Sequence, residues 1–193
     1  MPVPYLWERL ACDDSRAKVL ADALRISAPV ARLLAIRGID DPEAARRFLH
    51  PSLDHLGDPF QLAGMGTAVD RILAALARKE RIAIHGDYDV DGITATVILR
   101  RALELMGADV LHFIPERLKH GYGLQPETFD QLHADGVRLA ISVDCGIRGR
   151  EAAERARDLG IDLIITDHHE PDVTLPPALA VINPKRHLSL IHI

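Results

Sequence analysis

From residue 81 onward, short apolar runs alternate with amphipathic stretches. Arg81–His85, Asp109–Ile114, Arg138–Asp144, Ile161–Thr166 and Leu179–Ile182 are near-continuously apolar and rich in Ile, Leu and Val. Runs of that length and type read as strands buried on both faces. Between them lie helical patterns over Ile93–Met106, closed by Gly107, from Pro126 to Gly136, and over Gly149–Leu159, stopped by Gly160. Strands separated by helices of this size build βαβ units, so the expected architecture is α/β with a parallel, doubly wound sheet.

The chain before this alternation reads as helical. Ser15–Ile26 carries Val19, Leu20, Ala23 and Leu24 on one side, and Pro29–Ile36 is closed by Gly38. Asp41-Pro42-Glu43 is a strong helix start, with an acid at the cap, proline at the first helical position and a glutamate in the first turn. That helix ends near His50-Pro51, and Pro51–Gly66 reads as an ordered connector. Thr67 then opens an amphipathic helix in which Val69, Ile72, Leu73 and Leu76 share a face. The expected division is a helical lead-in over 1–66 and an α/β domain over 67–193.

Polar residues gather just past three of the strands: His85-Gly-Asp87-Tyr-Asp89-Val-Asp91-Gly92 after the first, Asp144 after the third, and Asp167-His168-His169 after the fourth. Loops at the carboxyl edge of a parallel sheet converge on ligand sites. Singly, each cluster has a plain structural reading: a half-buried strand-end histidine, a turn, a helix cap, a surface loop. Together they put more negative charge beside buried strands than is stable without a cation, since crowded carboxylates repel. Imidazole plus carboxylate suits Mn²⁺, Mg²⁺ or Zn²⁺, and an acid-rich set without thiolate favours Mn²⁺ or Mg²⁺. The ligand supply suffices for two ions sharing a carboxylate. Cys145 beside Asp144 reads as a small strand-end residue. The loop His120-Gly121-Tyr122-Gly123-Leu124, preceded by Arg117 and Lys119, reads equally as a surface loop or as a phosphate and base contact.

Composition adjusts this picture little. At 193 residues, 48% of them hydrophobic, the chain can bury a sizeable core. Its apolar runs are too short to span a membrane, no leader pattern opens it, and two cysteines give no disulfide framework, so a cytoplasmic protein is expected. The net charge of −5 argues mildly against a generic nucleic-acid binder. Two bound divalent cations would remove most of that charge.

In this order, HGDYDVDG, SVDCG and TDHHEP resemble the DHH phosphoesterase superfamily, and within it the RecJ branch of single-strand-specific 5′→3′ DNA exonucleases. Phe48-Leu49-His50-Pro51, Asp58-Pro59-Phe60, GYGL at 121–124 and Ala180-Val-Ile-Asn-Pro-Lys185 extend the resemblance over nearly the whole chain to about Arg186. It implies metal ligands at His85, Asp89, Asp91, Asp144 and His168, with Asp144 bridging. It implies a phosphate contact at His169, an Asp87 that orients a ligand or water, an Asp167 that holds an imidazole in place, and substrate contacts at Arg117, Tyr122 and Gly123. The implied chemistry is Mn²⁺- or Mg²⁺-dependent hydrolysis of single-stranded DNA to 5′-mononucleotides in DNA repair and recombination, with a single-strand-binding protein and a helicase as family partners.

The family also carries a fourth-motif aspartate, a second phosphoesterase domain and an oligonucleotide-binding barrel, which the resemblance does not reach here. The tail His187-Leu-Ser-Leu-Ile-His-Ile193 departs from the family and reads as the scar of a truncated frame, so this chain alone is expected to have little activity. Three alternatives stand beside this reading. One is a pyrophosphatase or small-nucleotide phosphodiesterase on the same fold. Another is a haloacid-dehalogenase-like phosphatase, with Asp89 of the run Asp89-Val-Asp91-Gly-Ile-Thr94 as nucleophile. The third is a fragment that binds metal or phosphate without turnover.

Overall fold

In the computed structural model, residues 10–116 and 123–186 are described. The chain divides into two compact units, Met1–Leu56 and Gly57–Ile193. The first holds three helices: α1 (Asp14–Leu24), α2 (Ala28–Ile36) and α3 (Pro42–Leu49). Asp13 caps α1 and Asp41 caps α3 through its carboxylate on the Ala44 amide, 2.7 Å away, as the Asp-Pro-Glu start predicts. Leu20, Leu34, Ala17, Ala31 and Ala45 form this unit's own small core. Val19, expected on the apolar face of α1, is exposed, and the buried stripe of that helix runs through Ala17 and Leu20 instead.

In the second unit, residues 57–66, which the sequence pattern groups with the lead-in, join the sheet's own core through Leu62 and Met65. The helix expected from Thr67 begins earlier, as α4 (Met65–Arg78), after Gly64 in the left-handed region. Its contact face is carried by Ala68 and Ala75, buried against the sheet, while Leu73 is exposed. Then follow β1 (Ile82–His85), α5 (Val90–Leu105), β2 (Val110–Phe113), α6 (Pro126–Ala134), β3 (Leu139–Val143), α7 (Arg150–Asp158), β4 (Asp162–Thr166) and β5 (Ala180–Ile182).

The five strands pair in parallel in the order β2-β1-β3-β4-β5. Alternate strand residues face opposite layers. Ile82, Ile84, Leu139, Ile141 and Ile164 pack under α4 and α5. Ala83, Ala140, Leu163 and Ile165 pack under Phe129 of α6 and Ala152, Ala153 and Ala156 of α7. Burial on both faces accounts for the unbroken apolar strands of the sequence. Among the described residues no helix is long and apolar enough to cross a membrane.

At the amino edge of the sheet, Arg71 of α4 reaches Glu80 and Asp162 at 2.6 Å each. Burial pulls its guanidinium toward the neutral form, but the two acids outweigh this and raise its pKa. The carboxyl edge carries the chemistry.

Candidate metal centre

The carboxyl ends of β1 and β3 lie side by side, with His85 in register with Ser142. In this strand order the winding reverses between them, and loops leaving adjacent strands there diverge to opposite faces and open a crevice.

The loop after β1 is shaped by a helix cap. Asp89 Oδ1 accepts the amides of Asp91 and Gly92, both at 3.0 Å, so α5 begins at Val90 rather than at Ile93. These backbone donors, Gly92 first, hold the Asp89 carboxyl below the ordinary range. The same capping puts Asp91 on the exposed first turn of α5. Gly92 is required by contact: a Cβ there would lie 2.5 Å from the Asp87 nitrogen and 2.6 Å from its oxygen. The helix start is thereby pressed against Asp87, which is buried, its Oδ1 2.7 Å from the Tyr88 amide.

After β3 the chain turns sharply. Asp144 sits at φ 62°, a left-handed conformation that aspartate tolerates better than most residues, and Gly146 follows at φ 107°. Asp144 is 9% exposed, and its Oδ2 is buried without a hydrogen-bond partner. Burial, and then the negative charge of Asp89, raise its pKa. A buried, under-satisfied carboxylate oxygen beside a second carboxylate is the setting a divalent cation resolves.

After β4, Asp167 uses both oxygens. Oδ2 accepts the Ile147 amide at 2.9 Å, tying this loop to the one after β3. Oδ1 accepts the amides of His168 and His169 and lies 2.7 Å from His169 Nδ1. A carboxylate only accepts, so the His169 ring carries a proton on Nδ1, and the neutral ring has its lone pair at Nε2. His168 Nε2 lies 3.0 Å from Asp144 Oδ1.

Among the described residues two donor groups result: Asp87, Asp89 and Asp144, and Asp144, His168 and His169, each with ligand atoms within 4.8 Å of one another. Asp144 belongs to both. Of the residues expected as ligands, Asp89, Asp144 and His168 are brought together. His85 stays outside both groups, buried with its ring 5.2 Å from Phe113 and Nδ1 3.7 Å from Cys145 Sγ. Asp91 also lies outside them, but lines a concavity together with Asp144 and His168. Asp87 and His169, expected in other roles, fall inside. The imidazole that Asp167 contacts is that of His169. Cys145 is buried, and burial, with the charges of Asp167, Asp87 and Asp144, pushes its thiol up, which keeps it protonated and structural.

Residues 81–189 match the DHH family, N-terminal domain. The chain belongs to the DHH family. The match spans the Asp-Val-Asp-Gly-Ile-Thr run and so displaces the haloacid-dehalogenase alternative. Over 180 residues the chain is 43% identical to the single-stranded-DNA-specific exonuclease RecJ of Bacillus subtilis strain 168, covering 93% of this chain and 23% of that protein. To the Escherichia coli K12 RecJ it is 41% identical over 155 residues, 79% of this chain and 26% of the relative. It thus spans about a quarter of the length of these curated relatives. A crystal structure of RecJ from Thermus thermophilus in complex with Mn²⁺ superposes with a TM-score of 0.64 at 34% identity, over 88% of this chain and 23% of that one. Another, of exonuclease RecJ bound to manganese, gives 0.64 at 40% identity over 70% of this chain and 35% of that one.

In this DHH domain, two concavities flank the Asp167–His169 run. One, of about 390 Å³, is lined by Asp91, Thr94, Ile98, Asp144 and His168. The other, of about 430 Å³, is lined by Gly123, Leu124, Ile147, Arg148, His169 and Lys185. Gly123, an expected substrate contact, therefore faces the same hollow as the imidazoles, while Arg117 and Tyr122 lie outside the described residues. Arg148 was not singled out from the sequence, and Asn183 and Lys185 entered only within the Ala180–Lys185 stretch of the family resemblance, without a role. For Asn183 the available signal is the Asn-Pro pair, a turn marker.

Proposed function

We propose that this DHH domain holds two divalent cations, Mn²⁺ or Mg²⁺, bridged by Asp144, and belongs to a 5′→3′ exonuclease that hydrolyses single-stranded DNA to 5′-mononucleotides in DNA repair and recombination. The observation that carries this reading is the sharing of Asp144, with its buried unpartnered Oδ2, between the two donor groups. The names of the relatives support the substrate class, and the manganese in two solved relatives supports the choice of ion.

In this reading Asp87 and Asp89 hold one cation from the β1 side, and His168 and His169 hold the other from the β4 side. Asp91 supplies a further donor across the first concavity, and His85 a buried imidazole behind it. Bound cations supply charge neutralisation at the phosphate and a lowered pKa for attacking water. Asp167 keeps the His169 ring in one tautomer and orientation. The glycine-lined hollow at Gly123 and Ile147 receives the terminal nucleotide, with Arg148 and Lys185 at its rim. A cytoplasmic setting, and work alongside a single-strand-binding protein and a helicase, follow from the same resemblance.

The test is release of mononucleotides from 5′-phosphorylated oligonucleotides of graded length, single- and double-stranded, with Mn²⁺ or chelator. It is run with this chain and with one extended to the length of its relatives. Mn²⁺-dependent release from long single strands by the extended protein, abolished by Asp144→Asn, is expected, with little from this chain alone. Cleavage confined to dinucleotides or pyrophosphate would assign the small-nucleotide alternative. Mn²⁺ binding without turnover by either protein would leave a binding module.

A further inference from the structure

Asn183 follows β5 at the sheet edge and is 1% exposed. Its amide is used at both ends. Oδ1 accepts the Lys185 amide at 2.7 Å, closing an Asx turn around Pro184, which has no N–H of its own. Nδ2 donates to the main-chain oxygen of His169 at 2.9 Å, in the neighbouring loop. The partners fix the orientation of the amide, since an N–H must face oxygen and a carbonyl must face N–H. Aspartate or serine can close the same turn, but aspartate offers no donor and serine is too short to reach across. An asparagine is the short side chain that does both.

We infer that Asn183 is a positioning residue for His169, acting through its backbone, an inference that rests on the reading of His169 as part of the metal centre. Asp167 Oδ1 accepts from both the ring Nδ1 and the amide of His169, and Asn183 Nδ2 donates to its carbonyl. The ring contact sets the tautomer and rotation. The backbone contact sets where the ring starts from, and β5, through the Asp167 amide on Ile182 O at 3.1 Å, fixes the residue two positions earlier. Without the Asn183 donor, the carbonyl of His169 loses that contact, and the start of the loop after β4 is left to the Asp167 contacts on the His168 and His169 amides and to Arg148 on Glu170 O. Groups that orient a ligand in this way are worth roughly ten- to a hundredfold in metal affinity.

The experiment is a double-mutant cycle on the full 193-residue chain, read by calorimetric titration with Mn²⁺. Asn183→Ser keeps the turn and removes the tether, and Asn183→Asp does the same at constant size. Melting in chelator establishes which of them is folded, and either can carry the cycle. In the wild-type background the tether-less variant is expected to bind Mn²⁺ about ten- to a hundredfold more weakly. In the His169→Ala background the same substitution is expected to change affinity less than about twofold, because the group it positions is gone. Equal losses in both backgrounds would overturn the inference and make Asn183 a general stabiliser of the loop. A His169→Ala chain that binds Mn²⁺ as tightly as wild type would overturn it together with the placement of His169 in the metal centre.

Discussion

His168 Nε2 lies 3.0 Å from Asp144 Oδ1, joining the loops after β3 and β4, while the other oxygen of Asp144 is buried and accepts no hydrogen bond. The carboxylate is held ready on one side and costly on the other. Metal-free, it stands near Asp89 in a site that desolvates it.

Asp144→Asn is therefore expected to stabilise the metal-free chain and to abolish most Mn²⁺ binding. The asparagine removes a buried charge, tolerates the left-handed backbone and can donate to Asp89. The gain is about 1 kcal/mol, or roughly 2–4 °C in Tm for a chain of this size. Melting curves in chelator and in millimolar Mn²⁺ check this. The wild type should be the less stable of the two in chelator and the more stable with metal.

The same substitution carries a pH signature. Raised in the folded state, the Asp144 carboxyl binds its proton more tightly folded than unfolded. Its penalty is thus fully present above the raised folded pKa and fades as pH falls toward the unfolded value of 3.8. In chelator, the Tm advantage of Asp144→Asn should be largest at neutral pH and vanish below about pH 4. An advantage independent of pH would show that charge is not its cause.

Gly92→Ala is expected to destabilise, although alanine is the better helix former by about 1 kcal/mol. The added methyl would sit 2.5–2.6 Å from Asp87 backbone and Cβ atoms, which cannot yield as a flexible side-chain tip would. A net loss of about 1–3 kcal/mol in denaturant unfolding is expected, with weaker Mn²⁺ binding because Asp87 is displaced.

At the opposite edge of the sheet, Arg71→Met should separate stability from binding. It removes the guanidinium shared by Glu80 and Asp162, at a cost of about 1–3 kcal/mol, reduced by the partial exposure of Asp162 and by Arg78, which stays 3.5 Å from Glu80. Mn²⁺ affinity measured by calorimetry on the folded chain should be unchanged. A parallel loss of affinity would mean that the two edges are coupled.

The features legible in the order of residues were local ones. Strand runs, helix periods, the Asp41-Pro42 start and the glycine stops depend on residues a few positions apart, and the elements they predict are present. Three polar clusters at strand ends were legible for the same reason, because a strand's end marks which edge its next residues occupy. Boundaries shifted where a side chain competed with the pattern. Asp89 caps α5 and draws its start back to Val90, and Gly64 lets α4 begin at Met65.

Which of the clustered groups meet depends on the assembled sheet. His85 and Ser142 are 57 positions apart yet adjacent in register, and the strand order that makes them so is set by packing across both layers, which no local pattern encodes. Given that order, Asp144 is shared by two donor groups, Asp87 is pressed in by Gly92, and Asp167 orients the His169 ring while the His168 ring reaches Asp144. Asp91, four residues from Asp87, is carried to the exposed first turn of α5 instead. Asn183 reads as a turn residue in the sequence. It reaches His169 because β5 pairs with β4, a non-local hydrogen-bonded contact that exists only once the sheet is assembled.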